Sequence, residues 1–137
     1  MKHESLLKWT GEMAFETEID GHKLTIDAAE EAGGHNTGMR PKKLMLTALA
    51  GCTGMDVISI LKKMKIYPAE FNVRVDGNVT ENHPKQYNSM HIIYEFKGDN
   101  LPKDKLTRAI ELSQDKYCGV LALYKKAITI TYEIRML

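Results

Sequence analysis

The chain has 137 residues, 43% hydrophobic and 27% charged, an ordinary globular composition that predicts a single domain over residues 1–137. A formal charge of +1 and a pI near 7.8 give no pull toward nucleic acid or anionic lipid, and the local basic run Lys62, Lys63 and Lys65 reads as charge at a helix end. Met1-Lys2-His3-Glu4-Ser5 lacks a secretory profile and no apolar stretch reads as a bilayer span, so a cytoplasmic protein without membrane contact is expected.

The first third reads as extended chain: Leu6 to Thr10, Met13 to Ile19 and His22 to Ala28, with Asp20-Gly21 as the turn of a hairpin. Ala29 to Met39 carries Gly33, Gly34 and Gly38 and is expected to be a mobile loop, in which His35 reads as solvated, with a pocket border as the alternative. Arg40-Pro41 then opens a helix, because proline at the first helical position forfeits no hydrogen bond. From Leu44 to Met64 the apolar residues surround most of the girth, so the helix must be covered on several sides. A sheet on one side and a second copy of the chain on another are expected.

Gly51 and Gly54 flank Cys52 in that helix, and each costs about 1 kcal/mol relative to Ala, which argues that the space is needed. Gly51-Cys52-Thr53-Gly54 has the GxxG spacing of a nucleic-acid-binding loop, but its place inside an apolar helix favours close packing. Pro68 ends the element. Glu70 to Val79 follows as a half-buried strand, Asn82-His83-Pro84-Lys85 turns the chain, and Met90 to Phe96 returns with Ile92, Tyr94 and Phe96 on one face. A helix from Pro102 to Asp115 carries Leu106, Ile110 and Leu112 as its stripe around Ala109, and Cys118 comes just after it. A short helix, Gly119 to Lys126, and a last strand, Ala127 to Met136, complete the chain. The eight methionines read as core gap fillers.

The two cysteines, 66 positions apart, are the candidate chemistry. In a reducing compartment free thiols or a redox-cycled pair are expected ahead of a structural disulfide. With no CxxC or HExxH and with five scattered histidines, no metal site and no cofactor are expected. Two thiols on packed elements can serve as attacker and resolver: a peroxide oxidises one to sulfenic acid and the other condenses with it. The attacker has to be a thiolate. Cys52 lies about three turns into its helix, too far along to feel the dipole strongly, and Asp56 four residues on opposes a negative sulfur. Arg40, Lys42 and Lys43 at the helix head, Lys8 on the first strand, or a residue of a partner chain are the cations available to offset it. Asp56 itself reads either as orienting a thiol or a water, or as bonding a neighbouring segment.

The run Arg40-Pro41-Lys42-Lys43-Leu44-Met45-Leu46-Thr47-Ala48-Leu49-Ala50-Gly51-Cys52, continued by Asp56-Val57-Ile58-Ser59-Ile60-Leu61-Lys62-Lys63, resembles the central helix of the OsmC/Ohr superfamily. Tyr117-Cys118-Gly119-Val120-Leu121-Ala122-Leu123 is similar to that superfamily's second cysteine and the helix after it, so the resemblance covers nearly the whole chain. It implies an α+β fold: an intertwined homodimer with antiparallel sheets packed around a long central apolar helix and active sites at the subunit interface. It further implies thiol peroxidase chemistry on organic hydroperoxides, Cys52 attacking and Cys118 resolving, with a dithiol as reductant. Peroxidase members carry Glu after the helix-starting proline and an N-terminal arginine. Here Lys42 follows Pro41 and no arginine precedes Arg40, a pattern similar to the divergent YhfA-like branch. Arg40 and Lys42 are therefore named with Cys52 and Cys118 as candidate catalytic residues. Two other readings of the same residues stay open: a protein of this fold holding a small hydrophobic ligand at the dimer interface, and a thiol redox sensor.

Overall fold

The computed structural model describes residues 1–137 and divides into two compact units, Met1–Met45 and Leu46–Leu137. The first unit is a three-stranded antiparallel sheet, β1 (Lys8–Gly11), β2 (Ala14–Ile19) and β3 (His22–Ile26), in that order. Asp20 (φ 51°) and Gly21 (φ 81°) both take left-handed backbone, as a tight hairpin turn that matches strand twist requires.

The segment after β3 is tied down rather than free. One short 3-10 turn, Glu30–Ala32, begins it, and the buried Asp27 carboxylate accepts from the backbone N–H groups of Ala28 (2.7 Å), His35 (3.1 Å) and Thr37 (3.1 Å) and from the Thr37 hydroxyl (2.6 Å). A Cβ at Gly34 would sit 2.1 Å from the Ala28 carbonyl oxygen, so this glycine serves close backbone approach. The bond from Thr37, followed by the three backbone donors, holds the Asp27 carboxyl well below the usual carboxylate range.

Helix α1 (Pro41–Lys63) opens at the proline and ends with Lys62 and Lys63 in its last turn, followed by Lys65 at φ 60°. Its 23 residues are long and apolar enough to cross a bilayer by length and composition, contrary to the sequence expectation, and 22% of its most apolar stretch is buried. The scattered Thr, Ser and Gly hide this at first reading, because small residues barely lower average hydropathy. Leu49, Thr53, Val57 and Leu61, spaced four apart, are its buried row.

In the second unit β4 (Glu70–Val79), β5 (Tyr87–Lys97) and β6 (Thr129–Met136) form a sheet with β5 in the middle. β4 pairs antiparallel with β5 from Glu70↔Lys97 to Val79↔Tyr87, whereas β6 runs parallel to β5 from Ser89↔Thr129 to Phe96↔Met136. That parallel pair departs from the all-antiparallel expectation. Its physical reason is the crossover: α2 (Lys103–Leu112), a π turn (Ser113–Tyr117) and α3 (Gly119–Tyr124) carry the chain back to the end where β5 began.

The core of this unit joins the α1 row to Ile92, Tyr94 and Phe96 of β5 and to Leu106, Ala109 and Ile110 of α2. Phe71 stacks on Phe96 with ring centroids 4.7 Å apart. The α2 stripe continues into Ser113 rather than Leu112, which is only half-buried. Ile93 is buried on the opposite face of β5, between its cross-strand neighbours Arg74 and Glu133. The methionines do not fill the core as expected: Met90 is buried, while Met45 and Met55 lie exposed on α1.

Candidate active site

Cys52 occupies the α1 position beside the buried Thr53, so its side chain sits at the margin of the covered face and stays half-exposed. Cys118 is buried at 2% exposure and caps α3, where its sulfur accepts from the Leu121 backbone N–H at 3.4 Å. The π turn is what delivers it. Widening the helix there closes a bond from Cys118 N to Ser113 O at 2.8 Å and leaves Cys118 in extended backbone, facing inward.

Both thiols are free, and Cys52 Sγ, Cys118 Sγ and an Asp56 carboxylate oxygen all lie within 4.8 Å of one another. Asp56 stands four residues after Cys52 on the same helix and therefore on the same face. The sulfurs can close to a disulfide bond of about 2.05 Å by moving less than about 3 Å toward each other.

Asp56 terminates a chain of hydrogen bonds with a single direction. Ser113 Oγ donates to Asp56 Oδ2 at 2.9 Å, which commits its one proton. The 2.8 Å contact between Thr53 Oγ1 and Ser113 Oγ must then be donated by Thr53, and the 2.8 Å contact between Tyr94 and Thr53 by the Tyr94 hydroxyl. Gln114 Nε2 donates to that hydroxyl oxygen at 3.2 Å and completes the series. Tyr94, Thr53 and Ser113 are wholly buried, so each hydroxyl depends on its neighbours for satisfaction.

Burial pushes the Cys118 thiol up to about 11, helped by hydrogen bonding and charge from Cys52 and by the Asp56 carboxylate, and opposed by the Leu121 N–H. Cys118 thus carries its proton at neutral pH. Burial likewise raises the Tyr94 hydroxyl, which suits a donor in the chain.

The other two sequence candidates lie at the head of α1. Lys42 is exposed in the first turn, and Arg40 donates from Nη1 to Asn36 Oδ1 (2.7 Å) and to the Gly38 carbonyl (3.0 Å). Of the four candidates, Cys52 and Cys118 are brought together, while Arg40 bonds within its own loop. His35 is exposed and pairs with Glu12, as a solvated loop histidine does.

Sequence reasoning missed Ser113, Thr53, Tyr94 and Gln114. Their common signal was weak: polar groups at positions where the apolar stripes of α1, α2 and β5 call for hydrophobic residues.

An apolar groove of about 600 Å³ runs along another side of α1, lined by Ala50, Gly51, Gly54, Met55, Ile58 and Phe71 among others. A Cβ added at Gly54 would touch Val73 Cγ2 at 3.2 Å, whereas one at Gly51 would meet nothing within 4 Å. Only one of the two glycines therefore serves packing within the chain.

A protein-family model described as OsmC-like protein matches residues 34–133. The protein YhfA of Escherichia coli K12 is 28% identical over 133 residues, 94% of each chain. A hypothetical protein from Aquifex aeolicus superposes with a TM-score of 0.83 at 29% identity, covering 100% of this chain and 99% of its own. An organic hydroperoxide resistance protein OsmC from Legionella pneumophila superposes with a TM-score of 0.70 at 15% identity over 97% of both chains, a likeness of fold.

Proposed function

Since the chain belongs to the OsmC-like protein family, we propose that it is a homodimeric thiol peroxidase that reduces organic hydroperoxides. The observation that carries this reading is the pairing of one accessible and one buried free thiol within 4.8 Å. The Cys52 thiolate attacks the distal peroxide oxygen; an S–O bond forms, the O–O bond breaks, and the departing alkoxide takes a proton to leave as an alcohol. The Cys118 thiol then attacks the Cys52 sulfenic acid, forming the disulfide and releasing water. A dithiol reductant restores both thiols and is itself oxidised to its disulfide.

The asymmetry of burial supports the division of roles. A peroxide reaches the half-exposed Cys52, whereas Cys118 is shielded and keeps its proton until a sulfenic acid stands beside it. Arg40 and Lys42 are proposed for the roles of the missing N-terminal arginine and helix-start glutamate; with Lys42 ten residues, about 15 Å, ahead of Cys52 on α1, contact with the thiolate has to come from the second subunit. The dimer reading rests on α1: Met55 (74% exposed) and Ile58 leave an apolar face that its own chain does not cover.

The test is turnover of cumene hydroperoxide with a dithiol reductant. Cys52→Ser is expected to abolish it and Cys118→Ser to stop it after one turnover. Arg40→Ala with Lys42→Ala is expected to slow the first thiol oxidation, and unchanged consumption in that double variant removes both from the mechanism. The groove beside Gly51 favours one second reading, a small hydrophobic ligand held there without turnover, for which peroxide leaves both thiols intact.

A further inference from the structure

The thiol pair has a third member whose chemistry the peroxidase reading does not use. We propose that the reduced protein binds a thiophilic divalent cation of the zinc class through Cys52 Sγ, Cys118 Sγ and an Asp56 carboxylate oxygen, with a fourth position open, and that metal and peroxide exclude one another at this site. The three ligand atoms lie within 4.8 Å of one another. Around zinc, with bonds of about 2.3 Å to sulfur and 2.0–2.2 Å to oxygen, tetrahedral neighbours stand roughly 3.5–3.8 Å apart. Side-chain rotation by about 1 Å therefore closes the set, with two ligands fixed four apart on one helix face and the third brought in by the π turn.

The surroundings are those of a ligand set rather than of a chance cluster. Asp56 Oδ2 is held by Ser113, which Thr53, Tyr94 and Gln114 back in series, so the carboxylate is oriented and Oδ1 is left for the ion. The Leu121 N–H already points at the Cys118 sulfur and stabilises it as an anion. Cys52 and Asp56 are half-exposed and give the cation a way in.

Binding replaces each S–H bond by a sulfur–metal bond and releases the thiol protons to solvent; no electrons move. Both sulfurs are then occupied and neither attacks nor resolves. Oxidation of the metal-free pair consumes both sulfur ligands in one S–S bond and leaves nothing for the cation to bind, so occupancy couples metal supply to the readiness of the thiols. The inference uses the same site as the peroxidase reading but does not depend on turnover.

Cobalt(II) tests it, titrated anaerobically into metal-free reduced protein. The expected result is a thiolate-to-cobalt charge-transfer band that saturates at one ion per chain, is displaced by zinc, and does not form on protein whose two thiols were first oxidised to the disulfide. Cys52→Ser and Cys118→Ser are each expected to abolish the band. Asp56→Asn should weaken binding at least about tenfold, and Ser113→Ala, which leaves all three ligands in place, by a smaller factor. Absence of a band, its persistence in Cys118→Ser, or unchanged affinity in both Asp56→Asn and Ser113→Ala would overturn the proposal. Peroxide consumption measured on the same preparation with chelator present separates this failure from failure of the peroxidase reading.

Discussion

At Cys118 a buried sulfur keeps its proton, and the consequence is measurable. Its pKa stands at about 11 in the fold against an ordinary 9.0, so the folded chain holds a proton that the unfolded chain has lost between those values. The stability gained from burying the neutral thiol is thus fully present below pH 9 and is lost as pH rises toward 11. Native alkylation of Cys118 is expected to be negligible at pH 8 and to climb only as pH approaches 11; fast labelling at pH 8 contradicts the environment described. Thr53 bears more weight than a mid-helix threonine ordinarily does. Thr53→Val strips Ser113 and Tyr94 of their buried partner and is expected to cost about 1–3 kcal/mol in denaturant unfolding. A neutral result would mean that water satisfies those hydroxyls. The role of Thr53 was not legible in the sequence, because its partners Tyr94 and Ser113 lie 41 and 60 positions away and no local pattern links them.

Among elements, those with local signals were readable and those with long-range causes were not. Asp20-Gly21 announced the β2–β3 turn, Arg40-Pro41 the start of α1, and the alternation of Phe71, Val73 and Val75 the face of β4. The parallel seating of β6 against β5 and the π turn before Cys118 follow from the crossover and its packing, which no short stretch encodes. The glycine-rich segment after β3 hides its tether for a related reason. Its glycines signal close backbone approach as readily as mobility, and the tie is a single carboxylate eight to ten residues back, at Asp27. Because that carboxyl is held below its ordinary 3.8, its contribution is present at neutral pH and fades only as pH falls below the usual carboxylate range. Asp27→Asn is expected to bring the amides of His35 and Thr37 to solvent-like hydrogen-exchange rates at pH 7. Retained protection would show that the backbone holds the loop unaided.

For the whole molecule the surface of α1 is decisive. Met55 and Ile58 are exposed on this apolar helix and Gly51 leaves open space beside them, so this is the face that the proposed second copy of the chain would cover. Met55→Glu with Ile58→Glu is expected to shift sedimentation from dimer to monomer, and an unchanged sedimentation coefficient argues against this face as the interface. Cys52 and Cys118 are proposed to form one intramolecular disulfide when peroxide arrives. The most direct measurement is the mass spectrum of metal-free reduced protein after one equivalent of cumene hydroperoxide. Expected are loss of both thiols, a chain lighter by roughly 2 Da, and a single Cys52–Cys118 cross-linked peptide, with Cys118→Ser stalling as the Cys52 sulfenic acid. Two intact thiols after millimolar peroxide, or a disulfide found only between chains, would contradict it.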